Sequence, residues 1–213
     1  MIEPVPDPRR APLIALDARI AACRACHCLG YLDEAVSIPV VFDPEPDAPV
    51  PRILLIGQAP GVKGSVFARP FAGASGDRLR DWFALGGIAP EDFYRKIHFA
   101  AVTRCFPGKI PGARGDRVPS PTEQATCRPW QDELVAIVRP EIVLLIGLLA
   151  IRTYLGPVPS LTAVVGTATI RDGVRYLPLP HPSGVSRWMN DRVKLEAVGR
   201  AMGILRGWVE HIE

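Results

Sequence analysis

Apolar residues recur along this chain with two different spacings, and the alternation between them predicts its architecture. Residues 52–57 (Arg-Ile-Leu-Leu-Ile-Gly) form an apolar run closed by glycine, as expected of a strand buried on both faces of a parallel sheet. Comparable runs at 97–103, 141–147 and 176–179 predict three more strands. Between the runs the spacing changes to three and four residues. Leu13, Leu16 and Ile20 predict a short helix, and Leu79, Trp82 and Phe83 share one face of a helix over 76–85. Residues 148–155 read as another short helix. The last helix carries a long stripe of Leu195, Val198, Met202, Leu205, Val209 and Ile212.

One helix start is written out in full. Ser120 can cap, Pro121 suits the first helical position, and Glu123 can complete a capping box. That helix is expected to run to about Val138, where Arg139-Pro140 stops it. Strands alternating with helices predict an α/β fold: three α/β/α layers around a mainly parallel, four-stranded central sheet. The expectation is a single domain over 1–213, with an extended arm at 1–12.

In such folds ligands bind beyond the carboxyl ends of the strands. Each predicted strand is followed by a loop of unusual composition: Gly57-Gln58-Ala59-Pro60-Gly61, Arg104-Cys-Phe-Pro-Gly108, Gly147-Leu-Leu-Ala150 and Pro180-His181-Pro182-Ser183-Gly184. Four such loops on one rim imply one crevice. The first loop lets backbone approach a ligand, because glycine removes the side chain and Pro60 stiffens the turn; a plain strand-to-helix turn has the same composition. In the last loop His181 stands between two prolines, so its imidazole is held stiffly enough to face a developing negative charge. Ser183 and Gly184 suit a phosphate. A surface turn with an incidental histidine is the alternative.

Composition adds limits. The 213 residues are 48% hydrophobic, enough for a well-formed core, and the net charge of +3 allows a polyanionic partner without requiring one. No segment approaches the ~18 apolar residues of a membrane span. The first twelve residues carry acids and prolines and lack the apolar core of a signal peptide, so the cytoplasm is the expected location. Five cysteines in a reducing compartment point to metal or to plain burial. Lys109, Arg114 and Arg117 lie in a glycine- and proline-rich loop that either meets phosphates or is simply solvated.

Taken in order, Gly57–Gly61 and Pro180–Gly184 resemble the two signature motifs of the uracil-DNA glycosylase superfamily. Arg69-Pro-Phe71-Ala-Gly73 is similar to that family's segment bearing a uracil-stacking aromatic. Val102-Thr-Arg-Cys105-Phe-Pro107, Thr122-Glu-Gln-Ala-Thr-Cys127-Arg-Pro129 and Pro140-Glu-Ile-Val-Leu-Leu-Ile-Gly147 resemble its iron–sulfur branch, the type-4-like one. In that branch four cysteines bind a [4Fe–4S] cluster, which implies Cys23, Cys26, Cys105 and Cys127 as ligands here. Cys28 is a rival to Cys26, and structural zinc is a rival to the cluster.

The resemblance implies a monomer that takes up DNA containing a deaminated base, extrudes the nucleotide and removes the base by hydrolysis. Gly57, Gln58 and Ala59 would line the base pocket, Phe71 would stack on the base, and His181 would support the departing charge. Ser183 and Gly184 would hold phosphates, with Val185 or Arg187 as the wedge that fills the vacated helix. This sequence departs from the pattern twice. Gln58 stands where the branch has glutamate, and an amide is no general base, so its role would be to orient water, unless backbone or Asp77 does so. Ala101 stands where the branch has an asparagine that reads uracil; Thr103 is a substitute, and hypoxanthine or xanthine excision becomes an expectation. The insertion of the covalently trapping subgroup is missing, so turnover is expected. An inactive iron–sulfur nucleic-acid-binding module of the same fold, and a metal-stabilised nucleoside or nucleotide hydrolase, are the competing readings.

Overall fold

The computed structural model describes residues 7–33, 48–61, 69–113, 115–183 and 192–212. Its centre is a five-stranded sheet in the order β2-β1-β3-β5-β4. β1 (Ile53–Gly57), β2 (Ile97–Ala101), β3 (Ile142–Ile146) and β5 (Val174–Leu179) are parallel, and β4 (Thr169–Arg171) runs antiparallel to β5. The expected four-stranded sheet is therefore corrected to a mixed five-stranded one. The added strand belongs to a hairpin whose turn, Asp172-Gly173, has both φ values positive (50° and 79°), the geometry of the tight turns that match strand twist.

Alternation along each strand divides the core in two. Leu54, Ile56, Val143 and Leu145 face α1 (Arg10–Ala22), α5 (Pro121–Val138) and α6 (Leu148–Leu155), meeting Leu13, Leu16, Ile20, Leu134, Val138 and Ile151. Ile53, Leu55, Leu144 and Ile146 face α3 (Ala74–Leu85) and α8 (Arg192–Val209), meeting Leu79, Phe83, Val198, Met202 and Leu205. Both sheet faces are covered, which explains why the strands read as continuous apolar runs. The expected stripe of the last helix is misjudged at Leu195, which is exposed; Ala197 and Ala201 take the buried places beside Val198 and Met202.

Local signals set the boundaries. The Ser120 hydroxyl accepts the Glu123 N–H at 3.2 Å, and the Glu123 carboxylate accepts the Ser120 N–H at 2.7 Å, the reciprocal bonds of a capping box. Arg139 ends α5 in the left-handed conformation, its N–H bonded to Val135 O at 2.9 Å. β2, expected to reach residue 103, is regular only to Ala101. Pro178 fits inside β5 because β4 reaches only to Tyr176, so the proline lacks a strand on that side. Short helices α2 (Ala25–Cys28), α4 (Phe93–Lys96) and α7 (Leu161–Val164) complete the order.

Candidate active site

The carboxyl ends of the parallel strands bring the signature loops together. Gly57 pairs in register with Ala101, and the amides of Val102 and Thr103 donate to Gly57 O (2.9 Å) and Gln58 O (3.2 Å). Gly147 N–H bonds Leu179 O at 2.9 Å, and a Cβ on Gly147 would stand 3.7 Å from His181 Cβ. The loops after β1, β2, β3 and β5 thus share one rim.

Phe71 lies across this rim. A Cβ on Gly57 would meet its ring edge at 3.7 Å, an ordinary contact, so the ring packs close beside the end of β1. The ring is propped by Phe99, 6.0 Å away between centroids, with Tyr94 and Phe93 behind it. The backbone is held as firmly. Tyr94 OH donates to Pro70 O at 2.9 Å, Arg80 donates to Tyr94 OH at 2.9 Å, and Phe71 itself sits at φ 52°. A left-handed conformation in a bulky residue persists only where its surroundings impose it.

The His181 loop is fixed from three sides. The Arg78 guanidinium donates to Pro182 O at 2.6 Å, Pro182 is buried, and Ser183 N–H bonds His181 Nδ1 at 3.2 Å. Crowding by protein lowers the imidazole pKa below its ordinary value, opposed by the charge of Asp116, although the residue as a whole keeps an open surface. A neutral ring whose Nδ1 accepts an N–H carries its own proton on Nε2.

The loop expected to meet phosphates is largely committed elsewhere. Lys109 and Asp116 form a bridge and an ion pair at 2.5 Å, and Arg117 N–H bonds Gly108 O at 3.0 Å. Arg117 grips Glu123 with two bonds of 2.6 and 2.7 Å and holds that carboxyl at a pKa of about 2, against an ordinary 4.5. Its carbonyl accepts Gln58 Nε2 at 3.2 Å. Arg117 is therefore a brace and not a loose phosphate ligand, and the Gln58 amide is tied to it by one end.

A cavity is lined by Cys23, Cys26, Cys105 and Cys127 with Ile20, Ala25, Arg104, Thr126 and Trp130. Cys28 is exposed and outside it. Burial raises the thiol pKa of Cys26, of Cys105 to about 12 and of Cys127 to about 11. Among the described residues no three cysteine, histidine or acidic side chains form a group that holds a single ion.

The family model described as the uracil DNA glycosylase superfamily matches residues 45–200. The chain belongs to that superfamily. It is 28% identical over 160 residues to a type-4 uracil-DNA glycosylase of Thermotoga maritima, covering 73% of this chain and 78% of the relative. A type-5 uracil-DNA glycosylase of Thermus thermophilus is 31% identical over 157 residues, 64% of this chain and 68% of the relative. A type-4 enzyme of Archaeoglobus fulgidus is 29% identical over 128 residues, 60% of this chain and 56% of the relative.

Gly57 and Ala101 pair at the ends of β1 and β2 with Phe71 beside Gly57, Gln58 and Ala59 follow β1, and His181 and Ser183 follow β5, two strands away beside Gly147. Gly184, Val185, Arg187 and Arg114 fall outside the described residues. Asp77, the alternative holder of water, points outward with 74% side-chain exposure and pairs with Arg80 at 3.0 Å. Sequence reasoning missed Arg78, the anchor of the histidine loop, and Asp116, whose Oδ2 lies 3.4 Å from where a Gly61 Cβ would stand. It also missed Arg104, buried against the cysteines with Nε and Nη2 lacking partners. Lone charged residues carry no pattern that reveals such long-range partners. Among the described residues, no helix is long and apolar enough to cross a membrane.

Proposed function

We propose that this protein is a uracil-DNA glycosylase: it takes an extruded deoxyuridine into the rim and hydrolyses its N-glycosidic bond, leaving an abasic site. The observation that carries this is the 3.2 Å bond from Ser183 N–H to His181 Nδ1. It leaves Nε2–H as a donor on a neutral, stiffly held ring at the rim formed by the carboxyl ends of the parallel strands. Such a donor gains strength as the leaving base acquires negative charge, so it favours the transition state over the ground state. Phe71 offers the base an aromatic face, and the Gly57–Ala59 backbone approaches its edge. Ser183 and the glycine that follows it are assigned to the phosphates flanking the lesion.

Recognition of the base is expected to be broad. Ala101, in register with Gly57 at the strand ends, has no amide to read uracil. The Thr103 hydroxyl, buried without a partner, is the polar group assigned to that edge. Hypoxanthine and xanthine therefore join uracil as substrates in this reading.

We assign a [4Fe–4S] cluster to Cys23, Cys26, Cys105 and Cys127. These four cysteines line one cavity, and thiolates are the usual ligands of such a cluster. Structural zinc held by the same four thiolates is the alternative. The cluster when bound supplies a cross-link. Its ligands would come from the end of α1, from α2, from the loop after β2 and from α5, next to the strand end that carries Ala101.

The deciding experiment incubates the protein with duplex and single-stranded oligonucleotides bearing uracil, hypoxanthine or xanthine, followed by alkaline cleavage of abasic sites. Scission at uracil is expected. Binding without scission on any substrate would favour the second reading, a nucleic-acid-binding module without chemistry, which the engagement of Gln58 by Arg117 O motivates.

A further inference from the structure

We propose that Asp116 is the carboxylate that holds the attacking water of this reaction and takes its proton. The inference rests on the glycosylase reading above. Hydrolysis needs a water delivered to the sugar carbon, and that water must lose a proton. Neither Gln58 nor Ala59 can accept it, since an amide and a methyl are not bases at neutral pH. Asp77 is turned to solvent on α3.

Asp116 meets the requirements by position. Its Oδ2 lies 3.4 Å from the place a Gly61 Cβ would occupy, so the carboxylate stands over the first signature loop, where glycine leaves it room. Its negative charge raises the His181 pKa against the larger, lowering effect of burial, so the two groups lie within electrostatic reach. Its side chain is one-third exposed (33%), open enough for water to reach.

The carboxylate is also fixed. Lys109 Nζ holds Oδ1 at 2.5 Å, and the two residues bridge as adjacent strands do. The next residue, Arg117, is clamped at its N–H by Gly108 O, at its carbonyl by Gln58 and at its guanidinium by Glu123. On this account the Gln58–Arg117 bond is what presents Asp116 to the crevice, giving Gln58 a positioning role.

The step balances. The bond from the sugar C1′ to the base nitrogen breaks, and its electron pair leaves with the base, supported by His181 Nε2–H. The water oxygen bonds to C1′, one of its protons passes to the Asp116 carboxylate and then to solvent, and the base is protonated from solvent.

The test measures single-turnover release of uracil from a duplex at saturating enzyme, for wild type, Asp116→Asn and Asp116→Ala. A loss of about 10²-fold or more in both variants is expected, the scale of general-base catalysis, with affinity for an uncleavable 2′-fluorodeoxyuridine duplex unchanged. Added formate should restore part of the rate to Asp116→Ala, because a small carboxylate can occupy the space; a merely structural aspartate gives no such rescue. Should the asparagine variant be unstable, formate rescue of the alanine variant decides alone. A loss under about tenfold, or a large loss that formate does not rescue, overturns the proposal while wild-type activity leaves the glycosylase reading intact. If wild type itself releases no uracil, it is the glycosylase reading that fails.

Discussion

Replacing Gly76 with alanine should damage both stability and base binding, although Gly76 touches no substrate. A Cβ at this position would stand 1.7 Å from the carbonyl oxygen of Phe71 and 2.8 Å from its carbonyl carbon. Neither atom belongs to a flexible chain end. The same carbonyl accepts Gly73 N–H at 3.1 Å, and the preceding one is held by Tyr94. Restoring ordinary contact requires a shift of more than an ångström in this peptide or in the first turn of α3. Overpacking of this kind costs about 1–3 kcal/mol. At about 2–4 °C per kcal/mol for a chain of this size, Tm should fall by about 2–12 °C. The displaced peptide carries the Phe71 ring, and stacking is worth about 1–3 kcal/mol per base, so affinity for an uncleavable uracil duplex should weaken toward that limit. Gly199→Ala in α8 is the control: its Cβ meets nothing within 4 Å, and alanine should stabilise the helix by about 0.5–1 kcal/mol. Thermal melts and fluorescence-anisotropy titrations measure both effects. If Gly76→Ala melts and binds like wild type, the packing of Phe71 against α3 described here is wrong.

Three other outcomes follow from the same geometry. Protein purified without oxygen should contain iron and show broad visible absorption, and Cys105→Ser should lose both along with part of its stability, because metal binding is coupled to folding; stoichiometric zinc without iron would reject the cluster. Ala101→Asn should raise the preference for uracil over hypoxanthine, since a well-placed amide discriminates by about 1–3 kcal/mol; an unchanged ratio of cleavage rates would displace Ala101 from the base site. Glu123 has its folded pKa depressed to about 2, so its contribution is present above its ordinary 4.5 and lost as pH falls toward 2. Wild type should therefore exceed Glu123→Gln by about 2–3 kcal/mol at pH 7, with the gap closing through that window in urea melts; a gap independent of pH would contradict the Arg117 pairing.

Much of the fold is legible in the sequence because burial on two faces leaves a dense apolar signal. The four parallel strands, the Ser120 capping box and the Arg139 stop are where pattern and local chemistry place them. β4 escapes because a three-residue edge strand need not be apolar on either side; its Ile170 is exposed. The Asp172-Gly173 pair was the available signal, since that dipeptide favours a tight hairpin turn. Local geometry at the candidate site was legible where a motif carries its own stiffness, as in the anchored Pro180-His181-Pro182 loop, or its own spacing, as in Cys23 and Cys26, which line one cavity. It was not legible where function depends on long-range partners. Nothing in the sequence near Arg117 shows that it binds Glu123 and Gln58 together, or that Asp116 beside it turns toward Gly61. Leu195 shows the opposite failure: it keeps the helical spacing yet lies at the solvent edge of the stripe.

The central claim is that the rim joining Gly57, Phe71 and His181 expels uracil from DNA. Its most direct test quantifies free uracil by chromatography from a uracil-containing duplex in a single turnover, with wild type and His181→Ala both saturating. The account predicts one uracil released per lesion by wild type and a rate slower by about 10²–10³ in the variant, the usual loss for one donor to a developing anion, with DNA affinity and Tm little changed. No free uracil from wild type, or equal rates from the two proteins, would contradict it.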